Sequence, residues 1–255
     1  MTSTTKPPAL RFFLSEPARG ALQLGALPLA APWLGLAPQE EPHGVLVLPG
    51  FLAGDLSTQL LRRYLRGLGH TVWGWRLGRN LGPTSAILTG MPRAVELLAE
   101  RTAAPVSIVG WSLGGVFGRE IARRQPELVR QVITLGSPFA LADAVQSRVN
   151  GAFRRQAAKH VPDSGITPET ARPIPVPSTA IYSKRDGVVH WHSCVEPESE
   201  RHQNVEVRCA HLGFGADPAT FWVIADRLAQ RAPGAVQFQP PTLLRGMYPS
   251  TPVSR

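Results

Sequence analysis

A serine placed between an apolar run and a helical pattern is the residue whose setting most clearly suggests chemistry. Ser112 stands in Gly110-Trp-Ser-Leu-Gly114, after the β-branched run Val106–Val109 and before a helical pattern that continues to Arg124. A Gly-x-Ser-x-Gly sequence between a strand and a helix predicts a nucleophile elbow, because small residues two positions before and after the serine let strand and helix approach closely. Ser112 is therefore the predicted nucleophile. The alternative is a structural turn whose serine caps the following helix.

A serine hydroxyl becomes a good nucleophile only beside a base, and the base needs an acid to orient it. With an elbow serine the expected chain order is Ser, then Asp or Glu, then His, each placed after a strand. Asp186 follows the predicted strand Thr179–Ser183, and His211 follows the predicted strand Val205–Cys209. We therefore predict the catalytic triad Ser112, Asp186 and His211. Taken singly, the aspartate could belong to an Asp-Gly turn and the histidine to an ordinary loop.

Negative charge that develops on a substrate oxygen needs backbone N–H donors aimed at it. Leu113 supplies one predicted donor, because it opens the helix after the serine, where the helix dipole assists. The second donor is predicted on the loop after the first apolar strand, at Phe51, with Leu52 as the next choice. Trp111 and Leu52 are predicted to contact an apolar part of the substrate, although core packing explains Trp111 nearly as well.

Strand and helix patterns alternate along most of the chain, and that alternation positions these residues. The predicted strands are 44–50, 71–75, 106–109, 131–135, 179–183 and 205–209, and the predicted helices are 57–68, 91–101, 113–124 and 218–228. The alternation predicts an α/β fold with a mostly parallel central sheet and helices on both faces. It stops at 139–177, a segment longer than a simple crossover requires. We predict a cap or lid over the carboxyl ends of the strands there, the alternative being a plain surface excursion.

The charge balance is strongly basic, with a formal net charge of +9. The arginines are scattered or spaced along helix faces, and no nucleic-acid-binding motif accompanies them, so we expect no nucleic-acid partner. A contact with acidic partners or an anionic lipid surface remains open. The oligomeric state is not predicted.

The two ends of the chain differ in composition from its centre. Residues 1–20 are expected to be loosely structured, 21–37 to form an apolar arm, and 38–44 to be a polar linker. We divide the chain into an N-terminal arm and linker (1–43), a main α/β domain (44–232, with 139–177 as its insertion) and a C-terminal tail (233–255). Prolines interrupt the arm, and no apolar run reaches the ~18 residues of a membrane-spanning helix. A cytoplasmic location is favoured, with secretion or peripheral attachment to a membrane left open.

Cys194 and Cys209 lie after the predicted acid and before the predicted base. A disulfide between them would brace the two loops that carry acid and base. Two free, partly buried thiols are the alternative.

Four stretches together resemble the α/β-hydrolase superfamily, and within it bacterial esterases and lipases. They are Leu48-Pro-Gly-Phe51, Gly110-Trp-Ser-Leu-Gly-Gly115, Ser183-Lys-Arg-Asp-Gly-Val-Val189 and His211-Leu-Gly213. The resemblance, which covers about residues 44–230, implies hydrolysis of small-molecule or lipid carboxylic esters through an acyl-enzyme, without metal or cofactor. An acyltransferase or thioesterase with the same triad, or a non-catalytic lipid-surface binding protein, remains an alternative, because fold alone does not choose between activities.

Overall fold

Runs of β-branched and aliphatic residues form a sheet whose strands are interleaved with helices. The computed structural model describes residues 7–140, 171–234 and 236–249, together with residues 147, 151 and 155. Its helices and strands are, in chain order, α1 (Leu10–Leu34), β1 (Gly44–Leu48), α2 (Gln59–Gly67), β2 (Thr71–Gly74), α3 (Ser85–Thr102), β3 (Val106–Trp111), α4 (Leu113–Arg124), β4 (Val129–Leu135), β5 (Ser178–Tyr182), β6 (His202–Glu206) and α5 (Pro218–Leu228).

Within these ranges the strands form one parallel sheet in the order β2-β1-β3-β4-β5-β6. The chain runs from β1 to β2 on one side and then returns to place β3 on the other side of β1. The loops after β1 and β3 therefore diverge at the carboxyl edge of the sheet, which is where parallel α/β sheets bind ligands. The predicted α/β fold class is confirmed, and this edge carries the loop to Phe51 and the turn at Ser112.

Alternate residues of each strand pack into two apolar layers. In β1, Val45 and Val47 face the layer under α1, α2 and α5, whereas Leu46 and Leu48 face the layer under α3 and α4. Covering on both faces explains why β1 is buried at every position and reads as a continuous apolar run. Burial of both layers holds the strand ends rigidly enough to position side chains.

A buried ion pair links α4 to the chain around β5. Arg119 contacts Glu196 at 2.8 Å, with 0% and 1% of the two side chains exposed. The guanidinium carbon lies 3.9 Å from the centre of the Phe139 ring, and Glu196 also accepts a hydrogen bond from the hydroxyl of Ser178. Two desolvated charges are tolerated only when they are paired and hydrogen-bonded in this way.

The N-terminal helix starts earlier than the sequence predicts. The expectation of loose structure through residue 20 is wrong from Leu10 onward, and α1 continues through Pro28 and Pro32 to Leu34. Both prolines lie on the exposed side of α1, and the hydroxyl of Tyr64 donates to the carbonyl of Leu34 at 3.1 Å. Tertiary contacts with α5 and with residues 211–213 hold α1 in place and override the local helix-breaking preference of proline.

Two further predicted boundaries are wrong. Helix α3 begins at Ser85 instead of Met91, because the side chain of Thr84 caps it by accepting from the N–H of Ile87 at 3.3 Å. Strand β6 ends at Glu206 instead of Cys209. Val205, Val207 and Cys209 alternate as buried residues, but regular pairing ends where the neighbouring β5 ends. The alternation of apolar residues therefore indicated which side chains are buried, but not where the pairing between β5 and β6 ends.

The predicted insertion, 139–177, lies mostly outside the described residues. Its two flanks are described: Phe139, Ile174 and Val176 are buried in the layer under α3 and α4. The cap and the division of the chain into arm, domain and tail remain predictions. No helix in the described part of the chain is long and apolar enough to cross a membrane.

Candidate active site

The turn at Ser112 has the strained geometry of an elbow. Ser112 has φ 53° and ψ −120°, a backbone conformation that residues other than glycine rarely adopt. A Cβ on Gly110 would fall 2.4 Å from Gly115, and one on Gly114 would fall 2.4 Å from the carbonyl oxygen of Leu48. The glycines are therefore required by close approach of strand and helix. The Ser112 side chain makes no capping hydrogen bond to α4, which argues against the alternative of a simple helix cap.

Asp186 and His211 form a direct pair. Nδ1 of His211 lies 2.6 Å from Oδ2 of Asp186, and both side chains are buried. The other carboxylate oxygen, Oδ1, accepts from the N–H groups of Val188 and Val189 at 2.8 and 2.7 Å. Because a carboxylate only accepts, Nδ1 carries the shared proton and Nε2 presents its lone pair. Nε2 is the nitrogen that a general base needs.

The main chain of His211 is held from two other directions. Its N–H donates to Oε1 of Glu16 at 3.0 Å, and its carbonyl accepts from Nε1 of Trp111 at 3.1 Å. The ring also meets the edge of Phe214, with the two centroids 6.2 Å apart. These contacts hold the main chain of His211 and one edge of its ring, in addition to the bond from Nδ1 to Asp186.

The end of β4 connects the serine to this pair. The N–H of Ser112 donates to the carbonyl of Leu135 at 2.8 Å, and the next residue, Gly136, has φ +54°. A Cβ on Gly136 would lie 3.1 Å from Oδ2 of Asp186 and 3.2 Å from Nδ1 of His211. Gly136 therefore makes room for the acid–base pair directly beside the serine turn. The structure brings the three predicted residues to one place at the sheet edge.

The electrostatic surroundings set the protonation of His211. Burial lowers its pKa, whereas the charge of Asp186, the hydrogen bond from Asp186 and the charge of Glu16 raise it. The net result is a pKa above the ordinary value of 6.5. Negative groups around the ring thus stabilise the imidazolium, the form that a base has after it takes a proton.

The loop after β1 lies against the serine turn. A Cβ on Gly50 would fall 3.3 Å from the Cβ of Ser112. Leu113 is the first residue of α4, so its N–H has no acceptor within the helix. The N–H of Leu52 already donates to the carbonyl of Asn80 at 2.7 Å, which removes this second choice as an oxyanion donor. Phe51 remains the predicted partner of Leu113.

Asn80 holds this loop in three places. Besides accepting from Leu52, it donates from its backbone N–H to Ala53 at 2.8 Å and from Nδ2 to the carbonyl of Pro49 at 2.9 Å. Asn80 is 0% exposed, so these bonds are made away from water. The shape of the predicted oxyanion loop therefore depends on Asn80, through two backbone bonds and one bond from its side-chain amide.

The two predicted substrate contacts differ in their surroundings. Trp111 uses its indole N–H on His211, and its ring packs against the core and close to Gly215. These contacts favour the alternative of core packing for Trp111. The Leu52 side chain is 49% exposed, with φ 62°, and can contact a ligand.

Cys194 and Cys209 are not joined by the disulfide that the sequence left open, and the alternative of two free thiols holds. Both thiols are free and buried, and burial raises the pKa of each well above 9. Cys194 packs with Val188 and Val189, whereas Cys209 belongs to the layer under α1, α2 and α5. Separate apolar clusters hold the two thiols as protonated core residues.

Residues of α1 contribute to the site, which the sequence reasoning missed. Oε1 of Glu16 accepts from Gly187, adjacent to Asp186, and from His211, while Gln23 accepts from the N–H of Ala210 at 3.2 Å. The available signal was that Glu16 is the single acidic residue among residues 1–39. Elsewhere, no group of three or more His, Cys, Asp or Glu in the described ranges could hold a metal ion.

Comparisons with known proteins agree with the fold. No family model matches the chain. The chain is 35% identical over 78 residues to a pimeloyl-(acyl-carrier protein) methyl ester esterase of Neisseria meningitidis serogroup B, a match that covers 27% of this chain and 30% of the relative's length. The match thus spans less than a third of that protein.

Solved structures resemble the chain over a larger share of its length. Aspergillus fumigatus lipase B has a TM-score of 0.59 at 16% identity, covering 79% of this chain and 57% of the lipase. One of the two metagenome-derived lipolytic enzymes LipS and LipT has a TM-score of 0.53 at 19% identity. The match covers 75% of this chain and 94% of the enzyme's chain. Paleococcus ferrophilus monoacylglycerol lipase has a TM-score of 0.52 at 16% identity, covering 76% and 97%. With its parallel sheet and the turn at Ser112, the chain shares the α/β-hydrolase fold of these enzymes.

Proposed function

We propose that the protein is a serine hydrolase that cleaves carboxylic esters through an acyl-enzyme. The observation that supports this most strongly is the arrangement of His211, whose Nδ1 is bound to the buried carboxylate of Asp186 at 2.6 Å and whose main-chain carbonyl accepts from Trp111, the residue before Ser112. A histidine oriented by a buried carboxylate is the arrangement that activates a serine. The named activities of the similar proteins, which include a methyl ester esterase and a monoacylglycerol lipase, point to the same class.

In the proposed reaction Nε2 of His211 takes the hydroxyl proton as Oγ of Ser112 attacks the ester carbonyl. The N–H groups of Leu113 and Phe51 bind the oxyanion that forms, and Asp186 stabilises the imidazolium. The imidazolium then protonates the leaving alcohol, and the acyl group stays on the serine. A water molecule, deprotonated by the same nitrogen, attacks the acyl-enzyme; the imidazolium returns this proton to Oγ of Ser112 as the carboxylic acid is released.

The surroundings favour an ester with an apolar acyl or alcohol part. Leu52 and Leu212 flank the serine and histidine turns and are 49% and 50% exposed. Apolar side chains beside a site hold an apolar substituent out of water. We expect hydrolysis of small-molecule esters, with the chain-length optimum separating an esterase from a lipase.

We further propose that α1 rests on a lipid surface with anionic headgroups. From residue 20 to residue 38 the only polar side chain apart from the Trp33 indole is Gln23, which is directed at Asp217 and Ala210. The large exposed side chains of this stretch are apolar and reach 73% exposure at Leu22 and 81% at Leu29. Leu212 continues this surface towards His211, because its Cβ lies 3.3 Å from where a Cβ on Gly20 would be.

The basic charge of the protein is the reason for choosing an anionic lipid surface as the partner of α1. The chain carries a net charge of +9, and Arg11 and Arg185 are exposed at the end of α1 that borders the acid loop. An apolar helix face beside basic side chains binds anionic bilayers through burial and headgroup attraction. The protein should therefore co-sediment with vesicles of phosphatidylcholine and phosphatidylglycerol. The double substitution Leu22→Glu and Leu29→Glu should abolish this co-sedimentation.

The control for that experiment is Leu97→Glu. Leu97 is 38% exposed on α3, on the opposite face of the sheet from α1. The Leu97→Glu substitution should leave vesicle binding unchanged. Absence of binding by the wild type, or a dimer in light scattering that buries the α1 surface, would refute the lipid contact.

The reaction is tested with p-nitrophenyl esters from acetyl to palmitoyl and with a fluorophosphonate probe. Ser112→Ala should lose both turnover and labelling, by up to ~10⁶-fold in turnover. Ser85→Ala, at an exposed serine that starts α3, is the matched control and should keep both. Faster product transfer to an added alcohol would indicate an acyltransferase, and a preference for thioesters would indicate a thioesterase. Full turnover by Ser112→Ala would refute the proposal.

A further inference from the structure

A single buried carboxylate on α1 binds both loops of the acid–base pair. Glu16 is 2% exposed. Its Oε1 accepts from the N–H of Gly187 at 2.7 Å and of His211 at 3.0 Å, and its Oε2 accepts from the N–H of Leu212 at 2.9 Å. Arg19, one turn further along α1, pairs with the same carboxylate at 2.9 Å. Three backbone donors from two distant loops therefore share one acceptor group.

These bonds are of a strong kind. Hydrogen bonds to an ionised carboxylate are shorter and about twice as strong as bonds between neutral groups. Without the carboxylate, the N–H groups of Gly187 and His211 would be left without a partner in a buried position, which is costly. The carboxylate of Glu16 is thus a strong link between α1 and the two loops.

The close packing of α1 on both loops supports a specific fit. A Cβ on Gly187 would fall 2.4 Å from the backbone of Phe12, and one on Gly213 would fall 1.7 Å from Oε1 of Gln23. At Gly187 the contact is with backbone, so only glycine lets the acid loop approach the helix this closely, whereas at Gly213 it is with the end of the Gln23 side chain. The helix therefore contacts the acid loop through its backbone and the base loop through side chains.

The charges that face the imidazole come from two elements. Asp186 faces it from the loop after β5, and Glu16 faces it from α1 with Arg19 behind. Both carboxylates raise the pKa of His211 against the effect of burial. The Cys209 thiol is also near, but burial raises its pKa, so it stays uncharged.

We propose that Glu16 is a positioning residue, which fixes the backbones of Asp186–Gly187 and His211–Leu212 relative to each other so that Nε2 of His211 is directed at Ser112. This rests on the proposed function, because it assigns His211 as the base. Glu16 itself touches no reacting atom. It acts through the orientation of the acid–base pair and through its charge.

The test is Glu16→Gln, which keeps the shape of the side chain, removes the charge and turns one acceptor into a donor. We expect kcat to fall by on the order of 10²-fold with KM changed less than twofold, because misplacement of a catalytic group costs turnover more than binding. The acid limb of the kcat/KM profile should move to lower pH, because loss of a negative charge lowers the pKa of the base. Glu40→Gln is the matched control: it removes the same charge from an exposed pair with Arg231 and should change neither.

A readout without turnover separates this proposal from the proposed function. In an NMR titration of the His211 imidazole, Glu16→Gln should titrate at lower pH than wild type, and a folded Glu16→Gln with unchanged kcat, pH profile and titration would overturn the positioning role. Failure of the wild type to hydrolyse any ester or to react with a fluorophosphonate at Ser112 would instead overturn the function. If Glu16→Gln unfolds, Glu16→Asp supplies the same measurements, since it keeps the charge and shortens the reach. It should retain the titration of His211 near the wild-type value while losing kcat.

Discussion

Replacing the serine of the elbow by glycine should make the protein more stable while it removes activity. Ser112 has φ 53° and ψ −120°, and a residue with a Cβ held in such a conformation costs about 1–3 kcal/mol. Glycine adopts this conformation without steric penalty. Ser112→Gly therefore releases strain that wild type stores at the site of chemistry.

The expected magnitude is the difference of two effects. Release of strain contributes about 2 kcal/mol, the middle of the range for such a conformation. The greater freedom of glycine in the unfolded chain costs about 0.5–1 kcal/mol. The hydroxyl of Ser112 has no hydrogen-bond partner within the described residues, so its loss adds little. We expect a net gain of about 1 kcal/mol in the free energy of unfolding.

The assay compares Ser112→Gly with Ser112→Ala in urea or heat denaturation. Alanine removes the same hydroxyl but keeps the strained Cβ, so it isolates the backbone effect. The glycine variant should be about 1 kcal/mol more stable than the alanine variant, or about 2–4 °C higher in Tm for a chain of this size. At an ordinary helical position glycine would be about 0.5–1 kcal/mol less stable than alanine. That ordinary sign would refute the reasoning.

Four further results are expected. Asp186→Asn should lower kcat by about 10⁴-fold in ester hydrolysis, because the amide favours the wrong histidine tautomer, and a loss below tenfold would contradict the pairing. Gly136→Ala should lower both kcat and the free energy of unfolding, by about 1–3 kcal/mol, through its positive φ and contact with the acid–base pair, whereas Gly25→Ala, with open space around it, should gain about 0.5–1 kcal/mol in urea titrations. In kcat/KM between pH 5 and 9, activity should fall as pH drops through a midpoint above 6.5, because protonated His211 cannot act as base, and a midpoint below 6.5 would contradict the raised pKa. Glu196→Gln should cost about 3–5 kcal/mol in urea denaturation, since it leaves a buried guanidinium unpaired, and a cost below 1 kcal/mol would count against that pair.

The sequence predicted the elements whose signals are local. The bounds of α4 and α5 agree with the predicted helices 113–124 and 218–228, and the strand–turn–helix at Ser112 follows from small residues at fixed offsets. These features depend on neighbours a few positions away, where turn chemistry and apolar periodicity act directly. The order Ser112, Asp186, His211 is a local signal of the same kind, because each residue directly follows a predicted strand.

Boundaries and partners set by distant segments could not be predicted in this way. Apolar alternation through Cys209 extended β6 past its end, because the pairing stops with β5 and burial does not. The two cysteines are near the site in sequence but are buried in different apolar clusters. Asn80, which shapes the loop to Phe51, carried no sequence signal at all.

The sequence by itself determined the fold class, the elbow and the candidates for nucleophile, acid and base, because each follows from residue type and spacing within a short window. Only the tertiary structure decided that α1 is continuous through Pro28 and Pro32 and that Glu16 meets the N–H groups of His211 and Gly187, 195 and 171 positions away. It likewise decided that Gly136 makes room for the acid–base pair. Contacts over such separations depend on how the sheet and helices pack together, and no local pattern encodes that packing.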